Sequence, residues 1–152
     1  MTASVAALIL LLCAGIVSVT GCKSGVPSVE IESPQALLSP YIIASGSVFL
    51  NIVNTGKGPD RLRSARVEIP GTLTELHDTQ DGRMVRTDDI PIPSESTVRL
   101  RPGGPHVMVF KLPKDVKEGS VVPLLLHFEK SGDKKVSVIV VGAYRNNPAQ
   151  SY

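Results

Sequence analysis

The chain has 152 residues, of which 42% are hydrophobic and 20% charged, enough apolar material for the core of one ordinary domain and unlike a disordered or fibrous chain. Lys and Arg total 16 against 14 Asp and Glu, a formal net charge of +2; without a basic block or stripe, nucleic acid is not an expected partner. Thirteen Gly, 12 Pro and no Trp point to many turns between short elements and away from a helical bundle.

From Ala3 to Val19 the chain is almost wholly apolar, and no charged side chain precedes Lys23. A membrane-spanning helix needs about 20 apolar residues. This run is shorter and ends in Val19-Thr20-Gly21-Cys22, which resembles a bacterial lipoprotein signal closing on its lipobox. The resemblance implies cleavage before Cys22 and lipid on its thiol; an uncleaved anchor helix is the alternative, and either places the body outside the cytoplasm, in the periplasm or on the outer cell surface. The expected division is a signal peptide over 1–21, a lipidated tether over 22–28, a folded domain over 29–143 and a loose tail over 144–152. Both cysteines, Cys13 and Cys22, precede the folded body, which therefore has neither an internal disulfide nor a thiolate nucleophile.

Within the body, Ser47 to Val53 alternates, with Val48, Leu50 and Ile52 on one face, and Asn54-Thr55-Gly56-Lys57-Gly58-Pro59 supplies a turn. Leu62 to Ile69 repeats the habit up to Pro70-Gly71, and Leu73 to His77, Thr97 to Arg101, His106 to Leu112, Val121 to Glu129 and Lys135 to Val141 follow. Lys130-Ser131-Gly132-Asp133-Lys134 reads as a hairpin connection, with Gly132 free to take the positive φ that a tight turn needs. No long stretch carries a helical apolar stripe. The predicted fold is all-β, a sandwich or barrel of about seven to eight strands.

After the signal, only two methionines remain, Met84 and Met108, with three histidines, His77, His106 and His127. His106 and Met108 are two apart in an extended run and leave the same face, their Cα atoms about 6.5 Å apart. His77 is expected at the end of its strand and Met84 in a turn-rich segment after Asp81-Gly82, where a hairpin brings both toward that pair. Two neutral thioethers and two imidazoles suit Cu(I) better than Zn, Ca or Mg. The same residues also read as ordinary structure: Met108 as core beside Phe110, His106 as a turn residue, His77 as a solvated strand end and Met84 as an exposed loop residue. His127 alternates with Leu126 and Phe128 and reads as an exposed strand histidine.

Met84, 21 intervening residues, then His106-Val107-Met108 resembles the downstream half of the hallmark of the PCu(A)C-type periplasmic copper chaperones. Leu100-Arg101-Pro102-Gly103-Gly104-Pro105-His106-Val107-Met108 is similar to that family's Leu-x-Pro-Gly-Gly-x-His-x-Met segment. Ile90-Pro91-Ile92-Pro93 resembles its approach to that strand, and Leu124-Leu125-Leu126-His127-Phe128-Glu129 its strand ending in Phe-Glu. The likeness covers Gly46 to Val141. His77 stands where the family has its upstream histidine, although six residues separate it from Met84 where the family commonly has about a dozen positions. The resemblance implies a cupredoxin-like Greek-key fold and Cu(I) held by His77, Met84, His106 and Met108. It further implies delivery to the copper-site subunit of cytochrome c oxidase or to its assembly factors, from a membrane anchor at Cys22. The alternative function is a metal-free β-sandwich adhesion or assembly module on a lipoprotein tether. Enzymatic activity is not expected, since neither Gly-x-Ser-x-Gly nor His-Glu-x-x-His occurs and the acidic residues 78, 81, 88 and 89 read as solvated loop charges.

Overall fold

The computed structural model describes residues 25–143; the apolar run, Cys22 with its expected lipid, and the expected tail lie outside them. The described body is all-β, with ten strands and no helix. These are β1 (Val29–Leu38), β2 (Ser45–Asn54), β3 (Asp60–Val67), β4 (Leu73–Gln80), β5 (Arg83–Arg86), β6 (Ile90–Ile92), β7 (Ser96–Leu100), β8 (His106–Phe110), β9 (Val121–Phe128) and β10 (Gly132–Ala143). Hydrogen-bonded neighbours run in the order β5-β4-β8-β2-β1-β10-β9-β3-β6, with β7 pairing β2 off this path. β1 lies antiparallel to β2 and parallel to β10, a crossover that joins the two halves.

Alternation builds the core. Val48, Leu50 and Ile52 of β2 point inward with Leu62, Ala65 and Val67 of β3 and Val122, Leu124, Leu126 and Phe128 of β9. Ile52, Leu62, Leu124, Leu126 and Phe128 have no exposed surface, and burying each such side chain contributes about 1.5–3 kcal/mol. The all-β expectation holds, with more strands than the about seven to eight expected. β1 escapes an alternation reading because Ser33-Pro34 interrupts it: Ser33 has φ 51°, and the register to β2 shifts between Glu32 and Gln35. β5 and β6 have four and three residues, too few for a period-two pattern to stand out.

Two buried polar groups tie the turns down. The Asp60 carboxylate accepts the Arg61 and Lys130 amides through Oδ1 at 2.8 and 2.9 Å and the Ser131 amide through Oδ2 at 2.9 Å. It thereby fastens the start of β3 to the β9–β10 hairpin, in which Gly132 has φ 71°, the left-handed value expected of it. At the end of β2, Asn54 Nδ2 donates to the Gly58 and Pro93 carbonyls, both at 2.9 Å, and its Oδ1 accepts the Ser28 and Gly56 amides. All of its hydrogen-bonding capacity is thus used inside the fold.

Candidate metal centre

β4 and β8 are antiparallel neighbours in which Glu75 faces Met108, Leu76 faces Val107 and His77 faces His106. Because side chains alternate, Leu76, Val107 and Val109 enter the core and Glu75, His77, His106 and Met108 share the opposite face. β2 lies on the other side of β8 and sets Ser47 opposite Met108. Met108 is 3% exposed, buried as the core reading of its alternation with Phe110 expected, and it lies beside Ser47, Phe49 and His106 rather than in the main apolar cluster.

Asp81 and Gly82, with φ 51° and 73°, make the two-residue turn that folds β5 back onto β4. Thr79 then faces Met84 and His77 faces Arg86. The hairpin expected from Asp81-Gly82 is present, but β4 continues to Gln80, so His77 is an interior strand residue rather than a strand end, and Met84 lies on β5 rather than in a loop. Met84, His106 and Met108 line one cleft of about 310 Å³, with Phe49, Ser47 and Thr79, bordered by Ser39 to Ile42 of the β1–β2 loop and by Pro102-Gly103. His77 is absent from this lining and stands beside it, its ring centroid 5.8 Å from that of His106. All four side chains are on strands, and His106 is 3% exposed. Only Met84, 56% exposed on the edge strand, opens to solvent.

The hydrogen bonds fix the chemistry of each donor. His106 Nδ1 lies 2.8 Å from the Gly104 carbonyl, which only accepts, so Nδ1 carries the proton and Nε2 is a bare base. That Nε2 is buried without a partner. Burial pushes the His106 imidazolium below its ordinary range, reinforced by His77 and opposed by the Gly104 bond and Asp78. His77 Nε2 lies 2.9 Å from Glu75 Oε2, and its Nδ1 is likewise buried without a partner. The hydrogen bond from His77, and then the Arg86 guanidinium, hold the Glu75 carboxyl below its usual value. Met108 Sδ accepts the Ser47 hydroxyl at 3.0 Å. Ser47, Phe49 and the β1–β2 loop carried no signal of their own in the sequence, whereas period-two spacing from His77 reaches Glu75. His127 is exposed on β9, paired at 2.6 Å with Asp133, far in register from these groups. Among the described residues no group of three or more His, Cys, Asp or Glu is placed to hold a metal; any ion here depends on the thioethers.

A family model described as "Putative lipoprotein LpqE-like" matches residues 29–140. "Putative lipoprotein Lxx21020" of Leifsonia xyli subsp. xyli is 28% identical over 139 residues, covering 82% of this chain and 83% of its own. Among solved structures, the copper-bound PCuAC domain from PmoF2 is 26% identical, with a TM-score of 0.65 over 77% of this chain and 95% of that one. The solution structure of CuI-DR1885 from Deinococcus radiodurans, 21% identical with a TM-score of 0.63 over 80% and 83% of the two chains, shares the fold.

Proposed function

The chain belongs to the LpqE-like lipoprotein family, with a body of the PCuAC type, and from that premise we propose that it is an extracytoplasmic, lipid-anchored carrier of Cu(I). Its ligands in this proposal are His77, Met84, His106 and Met108, and its anchor is Cys22. One observation supports the reading above others. Two buried imidazole nitrogens, His106 Nε2 and His77 Nδ1, have bare lone pairs and no hydrogen-bond partner, beside a cleft that also holds two thioethers. Leaving a buried polar atom unpaired costs about 1–3 kcal/mol, a cost that a coordinated ion removes. Neutral sulfur and nitrogen donors match a soft monovalent ion and leave its charge unchanged.

Carriage requires release as well as capture. His106 and Met108 are held by β8 at the back of the cleft, whereas Met84 stands at its mouth. An acceptor's ligand then displaces Met84 first and the buried donors afterwards, so copper passes by stepwise exchange without ever being free. The acceptor in this proposal is the copper centre of a respiratory oxidase or its assembly factors. In competition titrations of residues 26–152 with a chromophoric Cu(I) chelator, the wild type is expected to take Cu(I) from the chelator, and the double variant Met84→Leu/Met108→Leu to lose that ability while still folding. An unchanged affinity in the double variant leaves the metal-free module as the better reading.

A further inference from the structure

His106 in the cleft and His77 beside it are held in opposite tautomers by the acceptors next to them. The Gly104 carbonyl takes the Nδ1 proton of His106 at 2.8 Å, and the Glu75 carboxylate takes the Nε2 proton of His77 at 2.9 Å. Neither acceptor can donate, so a neutral ring at each position has one protonated and one bare nitrogen. The bare nitrogens, His106 Nε2 and His77 Nδ1, are the two histidine atoms that are buried and unpartnered. Glu75 is itself steadied: Arg86, directly across β4–β5 from His77, reaches its Oε1 at 3.4 Å.

We propose that Glu75 is a positioning residue that turns Nδ1 of His77, and not Nε2, toward the cargo, so that the ion is held through unlike nitrogens of its two histidines. This rests on the copper-carrier reading. Nδ1 is nearer the backbone than Nε2, so coordination through it draws the ion toward β4. Such a placement accommodates the short span between His77 and Met84, whose facing partners in the hairpin are Arg86 and Thr79. A carboxylate on the far nitrogen also raises the basicity of the ligating one, and loss of such an outer partner typically lowers metal affinity about 10–100-fold. Glu75→Ala is expected to do so, while Glu75→Gln, which keeps an acceptor oxygen, restores most of the affinity.

The sequence holds three histidines, so the full chain labelled with 15N at histidine and held in detergent gives three imidazole spin systems, assigned by His127→Gln and His106→Gln. In the metal-free wild type, long-range 1H–15N correlations are expected to show His77 with Nε2 protonated and His106 with Nδ1 protonated. In Glu75→Ala, His77 becomes a mixture of tautomers while His106 is unmoved. Added Cu(I) shifts Nδ1 of His77 and Nε2 of His106. A His77 ring protonated at Nδ1, or a Cu(I)-dependent shift at its Nε2, overturns the proposal and leaves the carrier reading standing. A wild-type chain that takes up no Cu(I) overturns both.

Discussion

His77 on β4 and His106 on β8 stand directly opposite one another, with ring centroids 5.8 Å apart. Burial pushes the His106 imidazolium below its ordinary range. A ligating imidazole must be neutral, and a lowered value keeps His106 neutral to below its ordinary 6.5. Cu(I) affinity is therefore expected to stay flat from pH 8 to about 6.5 and to fall below that. Chelator competition across the range checks this, and a steep loss already near pH 8 contradicts it.

The same shift enters stability. Between the lowered folded value and 6.5, the unfolded histidine binds a proton that the folded one does not, so the metal-free protein is expected to lose stability as pH falls through that window. The loss ends once folded His106 also protonates. Urea titrations of wild type and His106→Gln at pH 7.5 and 5.5 separate this contribution, since the variant lacks the titrating ring.

Met84 and Met108 are expected to differ in how they hold the ion. Replacing either with Leu nearly conserves volume and is expected to change stability by less than about 1.5 kcal/mol. Met108→Leu removes a donor fixed by Ser47 at the back of the cleft and is expected to lower Cu(I) affinity at least about tenfold, or about 1.4 kcal/mol. Met84→Leu removes the exposed donor and is expected to speed Cu(I) transfer to a competing chelator in stopped-flow measurements. An unaltered transfer rate in Met84→Leu denies it the place at which exchange begins.

The strands of the core were legible because their alternation is regular: Val48, Leu50 and Ile52 or Leu124, Leu126 and Phe128 point one way in sequence and in structure. The facing of His106 and Met108 followed from the same period. What stayed hidden depends on contacts distant in sequence. Ser47 meets Met108 only because β2 pairs with β8, and the loop from Ser39 borders the cleft only because β1 and β2 pair as a hairpin. His77 seemed to end a strand because the polar run Asp78-Thr79-Gln80 has no apolar period, yet β5 supplies the ladder that extends β4 through it.

Asp60 gives a prediction away from the cleft. Burial alone raises its carboxyl, but hydrogen bonds from Ser131, Lys130 and Arg61 together outweigh that and leave it below its ordinary value of 3.8. The folded state thus favours the ionised form, a contribution present above the unfolded value and lost as pH falls through the folded one. Asp60→Asn weakens the charge-assisted bonds between the start of β3 and the β9–β10 hairpin, and is expected to cost about 1–3 kcal/mol at pH 7 with Cu(I) affinity unchanged. Chemical denaturation and chelator competition on the same variant measure the two effects.

X-ray absorption at the copper edge of the Cu(I)-loaded protein tests most directly whether thioether and imidazole share one ion. The expected spectrum contains sulfur and nitrogen scatterers together, with sulfur amplitude reduced in Met108→Leu and likewise in Met84→Leu. A first shell of nitrogen and oxygen alone, the same in wild type and in both variants, contradicts the account.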